Sequence, residues 1–414
     1  MANKKTKQRT VKLIIILFSV IITLFVYNYN YFVPQLALMF LSPLLLLREG
    51  VGKRDMLPIV LMLSILMTAV THPAAFRIST VGYSILYVTT FIYYTKVFEK
   101  SGIRPEEFQK LVKGIIAAYA IVLAIQLLSR LMGLGYIINA SYNTEEGLKM
   151  NSLMFEASAI GPIITILMYA YIKIDELRTG RKMRFADLFN IHNKLTTWMY
   201  FFTSVFCFSV TTLITTFILM LYFVRIKHII SGAAIVGVLL YLFFSLGTEA
   251  GDRILTIAKA LPSMDIRTIF EADHSGSARI APIIVFINEF NLFSSEFWLG
   301  YGCDYGNLHI WHMLVGEDTK DDSMAVPGIF AFIYDYGMIA FLIFLKFIHS
   351  LCKFRSHTFF IYLTCFFLTG FNMASTWLFF MIAYTLNKYN EQKLSVNEQI
   401  NINSHSDIQC VSNA

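Results

Sequence analysis

About fourteen hydrophobic segments separated by polar ones fill the chain, and twelve of them read as membrane spans: 13–27, 31–47, 56–71, 81–98, 114–131, 158–172, 197–209, 211–225, 229–247, 326–346, 357–371 and 374–388. Only α-helices and closed barrels satisfy their backbone inside a bilayer, and segments of this length read as helices. The pattern therefore predicts an all-α polytopic membrane protein with about twelve transmembrane helices. As one helix, 197–225 would be ~44 Å long, well beyond a ~30 Å hydrocarbon core. Two short helices meeting near Ser209 to Thr212 are expected there instead.

One polar stretch, 248–325, is too long to be an ordinary connector, so the chain divides into spans over 1–247, a large loop over 248–325, spans over 326–388 and a tail over 389–414. The tail is polar, rich in Asn and expected to be disordered. Within the loop, 254–261 reads as a short amphipathic helix ended by Pro262, and 279–290 has apolar residues at helical spacing (Ile280, Ile283, Ile284, Ile287, Phe290). Asp273-His274-Ser275-Gly276-Ser277 offers N-cap side chains and a flexible lead into that second helix. Leu299-Gly300-Tyr301-Gly302 reads as a turn where backbone can approach a ligand closely.

Composition agrees with the pattern: hydrophobic residues make up 56% of 414, charged residues 15%, and 37 Phe exceed what a soluble domain of this size buries. The basic residues set the orientation. They gather at the N-terminus (Lys4, Lys5, Lys7, Arg9, Lys12) and in 48–54, 96–113, 173–194, 225–227 and 346–355, which are alternate connections. Lys and Arg flanking spans stay in the cytoplasm, so both termini are expected there, and 132–157 and 248–325 outside. The apolar run after Lys12 has no small-residue cleavage pattern and reads as a retained first span.

The net charge of +7 conceals an acidic outer loop, in which five basic residues face twelve acidic ones. The positive surplus is thus a topology signal, not a surface for nucleic acid. Cys303 is the only cysteine outside, so packing rather than a disulfide must hold the loop. Neither a CxxC pair nor a glycine-rich phosphate loop occurs, and no cofactor or metal is expected. His309 and His312 with Glu317 or Asp318 form a ligand set only on paper, and Trp311 among them suggests an interfacial belt.

Three motifs stand in order on one side of the membrane: Phe155-Glu156-Ala157-Ser158-Ala159-Ile160-Gly161-Pro162, Ser275-Gly276-Ser277-Ala278-Arg279 and Trp298-Leu299-Gly300-Tyr301-Gly302. With Tyr334-Asp335-Tyr336-Gly337, they make residues 150–345 resemble the O-antigen polymerase and ligase superfamily. The resemblance implies a GT-C-like membrane glycosyltransferase with one large extracytoplasmic loop, in the multi-pass cytoplasmic membrane. It would be a Wzy-type enzyme polymerising undecaprenyl-pyrophosphate-linked repeat units into an O-antigen, capsule or exopolysaccharide. The donor and acceptor glycans and membrane lipid would be its partners, together with a chain-length regulator. The alternatives are a ligase of the same superfamily and a lipid-linked oligosaccharide flippase. The chain departs from the pattern: Lys320-Asp321-Asp322-Ser323 stands where ligases carry a histidine motif, and Ala157 follows the acid where proline is common.

Under this reading Arg279 clamps the leaving pyrophosphate, its fork of donors matching two phosphate oxygens; a salt bridge to Asp273 or Glu289 is the bland alternative. Glu156 is a general base or fixes backbone amides at a helix start, and Asp322, beside Asp321, is a rival base or an N-cap. His274 donates to a sugar or phosphate, or is only solvated. Arg253 and Arg267 bind substrate unless Asp252 and Asp265 absorb their charge, and Tyr301 stacks on a sugar unless it belongs to the interfacial belt. Asp335, an acid inside a span, reads as structural support for a helix broken at Tyr336-Gly337.

Overall fold

The computed structural model describes residues 33–73, 77–134, 150–154, 157–207, 209–224, 249–272, 274–289, 291–303, 305–315, 328–352, 370–371, 373 and 376–393. Among these residues all regular structure is helical: α1 (Val33–Glu49), α2 (Met56–Thr71, led by a 3-10 turn from Lys53), α3 (Ile78–Ser101), α4 (Pro105–Leu131), α5 (Ala157–Thr179), α6 (Lys194–Phe206), α7 (Val210–Leu221), α8 (Glu249–Ala260), α9 (Ile266–Ala272), α10 (His274–Glu289), α11 (Ser295–Leu299), α12 (Tyr305–Val315), α13 (Ile329–Leu351) and α14 (376–393). Local signals set the ends. Gly102 takes the left-handed conformation (φ 58°) that stops α3. Pro105 then opens α4, while Glu107 accepts the Arg104 N–H at 3.0 Å.

The basic connections meet at one end of the helices: Arg54 pairs with Glu99 at 3.0 Å, Lys388 with Glu99 at 3.1 Å, Arg178 with Glu106 at 3.5 Å, and Lys100 with Glu49. α5 is the most enclosed of the long apolar helices, with 83% of its apolar window buried. Against it lies the α6–α7 hairpin. The Tyr200 hydroxyl donates to Thr216 Oγ1 across the hairpin at 3.0 Å, and the arms reverse at 207–209. Gly161 makes this packing possible, because a Cβ there would stand 2.5 Å from Thr212 Cα. At the basic end, Glu176 accepts from Lys173 (2.8 Å), the Tyr222 hydroxyl (2.7 Å) and the Met183 N–H (2.9 Å), so the buried charges are fully bonded.

The expectation of about twelve transmembrane helices in a GT-C-like arrangement is corrected. Among the described residues four helices are long and apolar enough to cross a membrane: Lys53–Thr71, Pro105–Leu131, Ala157–Thr179 and Ile329–Leu351. The reversal near Ser209 is present, but arms of 13 and 12 residues reach only about 18–20 Å. α3 is long enough, yet carries Thr89, Thr90, Thr95, Lys96, Glu99 and Lys100, and α1 has 17 residues with Pro43 inside. The expected spans 13–27 and 229–247, and most of 357–371, lie outside the described residues. Four such helices among the described residues do not make the extensive multi-spanning architecture that polymerising lipid-linked repeat units demands, so the polymerase, ligase and flippase readings, with their O-antigen, capsule and lipopolysaccharide roles, fall with the twelve-helix expectation.

Beyond the bundle, α8, α9, α10 and α12 gather around a second core of Ala260, Ile266, Ile269, Ala281, Ile284, Val285 and Ile310, completed by Tyr334 from α13. Burying each isoleucine contributes about 1.5–3 kcal/mol, and Cys303 is buried. The helix expected at 254–261 is the C-terminal part of α8, and Pro262 sits in the 3-10 turn that ends it. α10 corrects the sequence reading: it starts at His274, so the polar run 274–278 is helical rather than a flexible lead. Arg279 consequently sits in the second turn, where the macrodipole has largely faded.

α13 is broken at Gly337 (φ 80°, ψ 168°), in agreement with the sequence expectation for Tyr336-Gly337. The break frees carbonyls that a neighbouring segment satisfies: Tyr301 N–H donates to Tyr334 O at 2.8 Å and Gly302 N–H to Asp335 O at 3.2 Å. Asp335 Oδ1 accepts the Gly306 N–H at 2.7 Å. The glycines allow the two backbones to touch, since a Cβ on Gly300 would meet Asp335 O at 2.4 Å and one on Gly337 would meet Trp298 O at 2.4 Å. The close approach read into the Gly300–Gly302 turn is thus toward α13 and not toward a ligand.

Candidate functional site

Where α10, α12 and α13 converge, titratable groups form a bonded column. Tyr305 and His309 lie one turn apart on the same face of α12, and Tyr301 precedes them in the turn docked on α13. Tyr301 stacks on Tyr305 with ring centroids 4.7 Å apart, and Tyr305 on His309 at 4.9 Å. Tyr334 closes the side at 5.4 Å from Tyr301. Glu289, at the end of α10, caps the column: its Oε1 lies 2.9 Å from His309 Nε2, and its Oε2 accepts the Tyr334 hydroxyl at 2.6 Å.

A carboxylate only accepts, so Nε2 of His309 carries a hydrogen toward Glu289, and Nδ1 lies 3.4 Å from the Tyr305 hydroxyl. His309 and Glu289 remain partly open, with side chains 26% and 32% exposed. Burial first, then the Glu289 charge and Tyr301, push the Tyr305 phenol above its ordinary range. Burial and the same carboxylate raise Tyr301. Both phenols therefore stay protonated near neutral pH and act as hydroxyl donors. Glu289 orients the imidazole.

The residues singled out from the sequence do not assemble into one site. Glu156 and Asp322 lie outside the described residues. Arg253 is placed on α8 and His274 at the first position of α10 by the backbone alone. Arg279 is half-buried with its Nε enclosed, and about 15 Å of helix separates it from Glu289. Arg267 is exposed, its Nε donating to Met313 O at 3.4 Å, which ties α9 to α12. Tyr301 alone joins the column.

Sequence reasoning reached Glu289 only as an alternative partner for Arg279, and His309 only as a doubtful metal ligand. Tyr301, Tyr305 and His309 recur every fourth residue, a spacing that places the last two on one helix face and was the available signal. Nothing local connects them with Glu289, which is supplied by another helix. No protein-family model, curated protein or solved structure matches the chain. The resemblance to the O-antigen superfamily accordingly rests on the quoted motifs alone.

Proposed function

We propose that the protein is a membrane-embedded enzyme that binds a lipid-linked carbohydrate and takes a proton from one of its hydroxyls at His309. The observation that carries this is the pair at 2.9 Å between Glu289 and His309, whose second nitrogen lies 3.4 Å from the Tyr305 hydroxyl, in a partly open place. A histidine held by a carboxylate is the arrangement that activates an alcohol as a nucleophile. Tyr301 and Tyr305 add phenol donors and ring faces, the two kinds of contact that sugar rings accept. Four apolar helices make a lipid-borne substrate accessible without leaving the bilayer. The column lies away from the end where the basic residues gather, so the proposed orientation puts it on the extracytoplasmic face of the cytoplasmic membrane.

The test uses the full chain in vesicles with a polyprenyl-pyrophosphate-linked disaccharide labelled in its sugar. Saturable binding and turnover of the label are expected, with turnover reduced about 10²–10⁴-fold in His309→Ala and binding retained. Equal turnover in His309→Ala and the parent would remove His309 as the base, and absence of binding by the parent would remove the carbohydrate.

A further inference from the structure

We infer that residues 291–303 form a re-entrant loop that dips into the outer leaflet and places Leu292, Phe293, Trp298 and Leu299 against lipid acyl chains. The depth follows from contacts with two membrane-length helices. The Tyr301 and Gly302 amides bond carbonyls of Tyr334 and Asp335, and Trp298 touches Gly337. A ~30 Å hydrocarbon layer centred on the 23-residue α13 begins near its second residue, so these contacts lie about 5–10 Å inside it. On the other flank, Thr68 Oγ1 donates to Leu299 O at 3.1 Å and the Cys303 thiol faces Ile65 O at 3.8 Å, both within α2.

Irregular backbone at that depth is tolerated where its polar groups are satisfied by protein, and several of this loop's are. Ser294 accepts the Phe297 N–H at 3.1 Å, Asn291 accepts the Phe293 N–H at 3.0 Å, and the Trp298 indole donates to Leu292 O at 2.9 Å. Asn291 and Ser295 are exposed and Glu296 partly so, and beside them the loop shows apolar side chains outward: Phe293 is 98% exposed, Leu292 49%, Leu299 47% and Trp298 40%. Bilayer is the occupant that fits, because this surface continues the exposed apolar face of α2 formed by Leu63, Met67 and Val70.

The experiment places the full-length Phe293→Trp protein in vesicles of phosphatidylethanolamine and phosphatidylglycerol with brominated acyl chains, and reads the emission added over the parent. That emission should be blue-shifted, mostly lost to bromine and insensitive to aqueous iodide. In a second variant, Trp298→Phe, the bromine-quenchable part of the native emission should fall. Quenching by iodide without quenching by bromine would put the tip in water, and quenching by neither would put it under protein, such as a second copy. Either result overturns the re-entrant loop.

Discussion

Substituting Gly337 by alanine tests the docking of the glycine turn on the broken helix. The native residue holds φ 80°, and a Cβ there would stand 2.4 Å from Trp298 O, 2.5 Å from Gly300 N and 2.6 Å from Leu299 C. All three atoms are backbone, so no side chain can swing aside. Alanine escapes either by keeping this positive-φ extended conformation, which is essentially glycine's alone, at about 1–3 kcal/mol, or by letting α13 straighten. A straight α13 gives the carbonyls of Tyr334 and Asp335 back to their own helix and removes both acceptors from Tyr301 and Gly302. Two lost hydrogen bonds at about 0.5–1.5 kcal/mol each give about 1–3 kcal/mol on the straightened route. That is below the total stability of an ordinary protein, so the loop should detach while the bundle stays folded. The assay is maleimide labelling of Cys303, a buried thiol in the parent, with a Gly337→Ala, Cys303→Ser chain as its background control. Faster labelling of Cys303 together with a lower unfolding midpoint in detergent is expected. Unchanged labelling and an unchanged midpoint would refute the account of why glycine stands at 300 and 337.

Asp335→Leu leaves the buried Gly306 N–H without its acceptor, at a cost of about 1–3 kcal/mol; amide exchange at Gly306 should accelerate, and equal exchange would show another acceptor. Gly161→Ala sets a Cβ 2.5 Å from Thr212 Cα and 2.8 Å from the hydroxyls of Thr212 and Thr215, an overpacking worth about 1–3 kcal/mol, read as a lower unfolding midpoint. Asp265 caps α9 by accepting from the Thr268 hydroxyl at 2.6 Å and N–H at 3.0 Å, and those bonds hold its pKa below the ordinary value. Its contribution is present above about pH 4 and is lost as pH falls through the depressed pKa, so protection of the Thr268 amide should fade in acid in the parent and not in Asp265→Asn.

The all-helical class, the reversal near Ser209 and the break at Gly337 were legible because each follows from a local rule. Helix length against bilayer thickness decided the second, and an acid beside glycine inside an apolar run decided the third. The number of spans was not legible, since apolarity marks burial in protein as readily as burial in lipid. Thr-rich α6 and α7 are apolar enough for either, and their short arms pack on α4 and α5. The start of α10 was misread because Ser275, Gly276 and Ser277 favour caps and turns when judged alone. In the fold Ser277 is fully buried, and the packing of α10 on α9 and α13 overrides its preference. The column at His309 needs α10, the Gly300 turn, α12 and α13 together, and no spacing within one segment encodes that meeting.

Tyr334 links the two features that matter most. Its carbonyl is freed by the break in α13 and taken by the Tyr301 N–H, while its hydroxyl is held by Glu289, the partner of His309. The break in α13 therefore positions His309 through one residue that belongs both to that membrane-length helix and to the core of the helices around it. Loss of Gly337 should reach His309 by that route even though they share no contact. Tyr334→Phe should reach it too, by freeing one oxygen of Glu289 while leaving the docked loop in place.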